Sequence, residues 1–175
     1  VEEALSALEA RELMAVLRGE VAAIRAIVAT VHQDIAGIHR YAAEALQLIP
    51  LDNSQLRCGV LLSQGTAASL SGASGQAVEL LTQAIRESEQ GRQPIIRLIA
   101  ISALAQTYEM LGDFDRAERL HRQVVALESD PALGSLPLIG MGYVGLGGIL
   151  HERLRLSEAE AALQRGLQIG QRWAS

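Results

Sequence analysis

Leu104-Ala-Gln-Thr-Tyr-Glu-Met-Leu-Gly-Asp-Phe-Asp-Arg-Ala117 reads as the end of one helix, a short turn, and the start of another. Gly112 suits the left-handed residue that ends a helix, and Asp113 suits the cap that opens the next. Ala117 is a small residue one turn into the second helix. The same plan recurs at Asp34–Ile38, Ala73–Ala77 and Arg155–Ala159, with Gly72 in the place of Gly112. The anchors Ile38, Ala77, Ala117 and Ala159 stand 39, 40 and 42 residues apart. Twelve residues before them lie Ala26, Gly65, Ala105 and Gly147; seven after them lie Ala45, Ala84, Val124 and Gly166. Small residues in a fixed register let two helices approach closely, and bulkier neighbours lock into the gaps.

Helical periodicity supports the pairing, as in Val78, Leu81 and Ile85 or Leu120, Val124 and Leu127. First helices are expected near 20–32, 54–71, 94–111 and 137–153, and second helices near 34–48, 74–90, 114–128 and 157–172. A separate helix near 3–17 is expected ahead of them. Ser157 and Glu160 have the spacing of a capping box. The predicted fold is all-α, a stack of about four helix pairs plus an N-terminal helix, in one repeat domain over 1–175. Its approximate repeats are 19–50, 54–91, 94–129 and 137–173. No stretch alternates with a period of two for long enough to argue a strand.

Composition narrows the function. Of the 175 residues 49% are apolar but only 3% aromatic, which suits closely packed helices better than a β-sandwich. The net charge is −5, and the basic residues, all arginine, are spread along the chain. That excludes the basic face from which a nucleic-acid binder draws most of its affinity. Cys58 is the only cysteine, so no internal disulfide forms, and it is expected to be buried. The nearly uncharged run 132–150 is broken by Pro137 and six glycines, a poor membrane span. No signal peptide opens the chain, so a cytoplasmic location is expected. A first residue other than Met suggests a piece of a longer protein.

The offsets resemble the tetratricopeptide repeat, best in Leu104-Ala105-x-x-Tyr108 followed by Ala117-x-x-x-His121. The fourth unit gives Leu146-Gly147-x-x-Leu150 and Ala159-x-x-x-Leu163. The resemblance implies a right-handed superhelix, and the period here exceeds the usual thirty-four or so of that repeat. With the phrases Ala45-Leu-Gln-Leu-Ile-Pro50, Ala103–Asp113 and Leu156–Gln168 ahead of Arg172-Trp173, it resembles the sensor region of MalT-like, LuxR-family ATP-dependent transcriptional regulators. That resemblance implies a bacterial signal-input module whose partner is a small-molecule effector or a regulatory protein or peptide. ATP and DNA binding would belong to flanking domains, so no nucleic-acid contact, no cofactor and no catalysis are expected of this chain. The alternative is a generic tetratricopeptide interaction scaffold.

Other motifs argue weakly for chemistry. Gly140-Met-Gly-Tyr-Val-Gly145 is formally G-x-G-x-x-G, and a nucleotide-binding enzyme built on it is the remote alternative. It lacks the strand before and the acidic strand end after that such a site needs, and Gly147 already falls on the repeat register. Close helix packing is the expected use of these glycines. His32, His39, His121 and His151 lack metal-ligand spacing and read as surface or groove residues. First helices of a helix-pair solenoid line its concave side. The resemblance places groove positions at Glu20, Ala23, Ile27 and Thr30, then Leu62, Thr66 and Ser69. They continue as Ser102, Gln106 and Glu109, then Val144, His151 and Glu152. The candidate binding set is Thr66, Ser69, Ser102, Gln106, Glu109, Val144, His151 and Glu152. Weak self-association is expected through the first helix or the one ending at Trp173.

Overall fold

Five turns share one backbone solution, and it fixes where the helices stop. Residues 33, 72, 92, 112 and 154 all have positive φ, between 51° and 78°. In each, the next N–H returns to a carbonyl five residues back, as from Ala73 to Ala68 (2.8 Å) and from Arg155 to Leu150 (2.9 Å). This closes the helix end as a Schellman motif. Gly72 and Gly112 adopt it freely, whereas Gln33, Arg92 and Leu154 do so at a cost of about 1 kcal/mol each.

The computed structural model describes residues 2–172, with side chains from Ala10 onward. The helices are α1 (Glu2–Val31), α2 (Ile35–Leu48), α3 (Ser54–Leu70), α4 (Ser74–Gln90), α5 (Pro94–Met110), α6 (Phe114–Ala126), α7 (Pro137–Glu152) and α8 (Leu156–Gln171). A 3-10 turn, Leu127–Ser129, follows α6. No strand occurs among the described residues. Asp34, Asn53 and Asp113 cap α2, α3 and α6, each accepting a hydrogen bond from the N–H three residues on. Proline opens α5 and α7, where its missing N–H costs nothing.

Two expectations need correction. The helices foreseen near 3–17 and 20–32 are one helix, α1. Nothing between them breaks the backbone: Gly19 keeps helical geometry and is buried where α2 ends, and a Cβ there would lie 2.9 Å from Leu48 Cβ. The capping box at Ser157 does not form either, because α8 starts at Leu156 with Arg155 in the cap position. The left-handed turn at Leu154 sets that start, and Glu158 instead accepts from Arg155 Nε at 2.8 Å.

The chain divides into two compact units, Val1–Ile96 and Arg97–Ser175. In the first, α1 packs on α2 and α3, α2 on α3, and α3 on α4. Ala22, Ala26, Ala42, Ala45 and Val60 form its alanine-rich core. In the second, α7 packs on both α6 and α8, around Leu146, Leu150, Ala159 and Ala162. All twelve register positions are buried. Gly65 and Gly147 show why they are small: a Cβ on either would lie 2.7 Å from Cγ of the leucine opposite, Leu81 or Leu163. Cys58 is buried, and burial pushes its thiol pKa up. Beside it Arg57 Nε stands 3.7 Å from Glu87 Oε1, a largely buried pair short of hydrogen-bond contact. No helix among the described residues is long and apolar enough to cross a membrane.

Candidate functional site

The glycines of α7 decide the site. Gly140 and Gly147 turn toward α8, and Gly142 and Gly145 toward α6. The α7–α8 contact is close enough that a Cβ on Gly166 would sit 2.9 Å from the Gly140 carbonyl oxygen, and one on Gly140 3.1 Å from that of Gly166. On the α6 side a Cβ at Gly145 would overlap the His121 ring, and one at Gly142 would overlap Val124. With its small residues spent on both neighbours, α7 leaves Pro137, Met141 and Val144 on a third, outward face, four and three residues apart. The motif Gly140–Gly145 lies wholly inside this helix and is not a phosphate-cradling turn.

A groove of about 680 Å³ opens over that face within the second unit. Its apolar body comes from Pro137, Met141 and Val144 together with Leu163 and Leu167 of α8. Its polar end is Gln106 and Glu109 of α5 with His121 of α6. His121 is buried and donates from Nε2 to Glu109 Oε1 at 2.5 Å, while its Nδ1 has no protein partner. Glu109 is only half-buried, so its carboxylate can face both the imidazole and an occupant. His121 stands four residues past its anchor, where the other repeats have Ala42, Leu81 and Leu163.

An ion-paired cluster braces the same unit away from the groove. Glu128 accepts from Tyr143 Oη at 2.6 Å and from the Arg165 guanidinium, tying the turn after α6 to α7 and α8. These bonds, Arg165 first, hold the Glu128 carboxyl below the usual carboxylate range. Burial, and then Glu128, push the Tyr143 hydroxyl up. At the other end of α7, Glu118 takes Arg122 (2.7 Å) and Arg153 (2.8 Å).

Of the eight residues singled out from sequence, Gln106, Glu109 and Val144 line the groove together. Ser102 is buried, its hydroxyl donating to the Leu98 carbonyl at 3.0 Å. His151 and Glu152 are exposed at the end of α7, outside the groove lining. Thr66 and Ser69 lie in the first unit, with the Thr66 hydroxyl turned back to the Leu62 carbonyl at 2.9 Å. Among the other groove positions, Ala23 and Leu62 are buried, while Ile27 is exposed. Sequence reading assigned no groove role to Met141, Leu163 or Leu167. The signal available was their spacing, since 137, 141 and 144 share a face of one helix and 163 and 167 a face of the next. Among the described residues no cluster of His, Cys, Asp or Glu could hold a metal ion.

The comparison with curated proteins finds no match. Among solved structures the chain is similar to the crystal structure of BtubC (BKLC) from P. vanneervenii, with a TM-score of 0.77 at 15% identity. The alignment covers 90% of this chain and 65% of that one, so the chain spans about two-thirds of its structural neighbour. At that identity the likeness speaks to the fold, which is all-α, with helices packed in consecutive pairs. The family model described as the MalT-like TPR region matches residues 19–175, and the chain belongs to that family.

Proposed function

We propose that the chain is a non-catalytic signal-input module of a bacterial transcriptional regulator acting in the cytoplasm, and that its effector seats in the groove of α5–α8. The observation that carries this reading is the groove itself. Its volume of about 680 Å³ lies in the range of small-molecule sites. Its walls are mostly apolar, with one acidic end at Glu109. The occupant that fits is a small amphipathic molecule, or the end of a peptide, with an apolar body against Met141, Val144 and Leu167. A hydrogen-bond donor or cation at its other end meets Glu109. His121 fixes that carboxylate, and no nucleophile or metal is needed for the task.

Isothermal titration with primary alkylamines, and with alkyl carboxylates of the same chain length, tests this. Amines are expected to bind in preference, and Glu109→Gln to remove the preference. Val144→Asp is expected to weaken binding at least tenfold, about the value of one buried apolar side chain. Equal binding of amines and carboxylates, or binding indifferent to both substitutions, would overturn the reading. So would ATP hydrolysis or specific DNA binding by this chain.

A further inference from the structure

The glycine run of α7 has one member that the pairing of apolar helix faces does not explain. Gly140 and Gly147 make room for α8, and Gly142 makes room for Val124 of α6. Gly145 makes room for a polar ring. A Cβ there would overlap Cε1 and Nε2 of His121 and lie 2.7 Å from Nδ1, so the imidazole edge rests on bare helix backbone. The repeat register marks this as a departure. His121 stands four residues past its anchor, and Gly145 fourteen before the next. One repeat earlier those two positions hold Leu81 and Ala103, and one before that Ala42 and Ser63.

A leucine asks only volume of its neighbour, whereas a buried imidazole also needs a hydrogen-bond partner. His121 is buried and has one such tie, from Nε2 to Glu109 Oε1 at 2.5 Å, while Nδ1 has none. Glu109 is half-buried and has no second side-chain partner among the described residues, so its direction depends on that bond. We infer that Gly145 is a positioning residue for ligand selectivity. By leaving its Cβ place to the His121 ring, it holds the imidazole that aims the Glu109 carboxylate into the groove. The inference rests on the effector reading given above and narrows it to a cation that bears N–H. A carboxylate held in one direction rewards a directed donor. A quaternary ammonium has no such donor, and no Phe, Tyr or Trp lines the groove to take it by a ring face.

Gly145→Ala should displace the ring and not the fold. The overlapped atoms end a side chain with two rotatable bonds, and alanine is the better helix former. Titration calorimetry of the full chain compares hexylamine with hexyltrimethylammonium. The parent is expected to bind the amine at least tenfold more tightly, about the value of one charge-assisted hydrogen bond. In Gly145→Ala that ratio should fall toward one with the helical circular-dichroism spectrum retained. Gly145→Ala combined with His121→Leu copies the residues at 81 and 103; it should keep full resistance to urea and still lack the ratio. Proton–nitrogen correlation of the histidine rings reads the tie with no ligand present. A slowly exchanging Nε2–H of His121 is expected in the parent and is expected to vanish in Gly145→Ala. Loss of that proton with the ratio unchanged would overturn the inference and leave the effector reading standing. A parent without the protected proton, or a ratio restored in the double variant, would also overturn it. Failure of hexylamine to bind the parent would overturn the effector reading and this inference with it.

Discussion

The α3–α4 and α7–α8 pairs begin from the same device and end in different places. In each, a glycine twelve residues before the anchor faces a leucine four residues after it, at the same 2.7 Å limit. Leu81 is fully buried, yet Leu163 is 41% exposed. Leu62 of α3 and Val144 of α7 also hold equivalent register positions; the first is buried and the second exposed. Pairing two helices is thus a local matter, settled by residues within one repeat. Whether the paired surface becomes core or groove depends on what lies over it, and the repeat does not encode that.

The largest expected effect tests this difference directly. Leu81→Ala is expected to cost about 3 kcal/mol in urea unfolding and Leu163→Ala about 1 kcal/mol or less, since only the first leaves a cavity. Equal losses would mean the two leucines do the same structural work. Next comes the largely buried ion pair between α3 and α4, Arg57 with Glu87, which α7–α8 lacks. Glu87→Ala is expected to cost about 2 kcal/mol, the scale of a buried polar group left unsatisfied, because the pair stands at 3.7 Å without a hydrogen bond and its loss leaves the Arg57 guanidinium without a counter-charge. Arg57→Met combined with Glu87→Leu should return stability to near that of the parent, because both desolvated charges go together. A double substitution as damaging as the single one would show the pair itself to be stabilising.

The turns give a smaller contrast. Gly112→Ala is expected to lose about 1 kcal/mol, and Leu154→Gly to gain a similar amount, as both turns need positive φ. Thermal unfolding of the two variants reads the opposite signs. The smallest effect is pH-dependent. Glu128 is held below its ordinary range, so its contribution is present above the unfolded carboxylate pKa and lost as pH falls through the folded one. Arg165→Ala should therefore be less stable than the parent near neutral pH, with the gap closing in acid. A gap that stayed constant down to pH 3 or so, below the ordinary carboxylate pKa, would remove Arg165 as the cause.

Much of the fold was legible in the sequence because its information is local. The register at 38, 77, 117 and 159 placed the four second helices to within about two residues, the usual spread of helix ends. Gly72 and Gly112 announced their turns. Leu154 and Gln33 adopt the same conformation without announcing it, because the turn there is imposed by its neighbours. The continuity of α1 through Gly19 was also hidden, since a glycine there reads equally as a stop or as a close contact. The groove was legible only in part. Glu109 and Val144 followed from the repeat resemblance, but His121 stands at a position that elsewhere carries Ala or Leu. Its partnership with Glu109 and Gly145 exists only after α5, α6 and α7 have packed. Trp173, expected to take part in self-association, lies outside the described residues.

The chain has three methionines, and each reports on a different place: Met14 on the outer face of α1, Met110 at the exposed end of α5, and Met141 in the groove. Methyl spectra of the selectively labelled chain during an alkylamine titration therefore test the effector groove most directly. A saturable shift of Met141, with Met110 and Met14 unmoved and the shift abolished in Val144→Asp, is the expected result. Saturable amine binding that leaves Met141 unmoved, or that moves all three methyls alike, would contradict it.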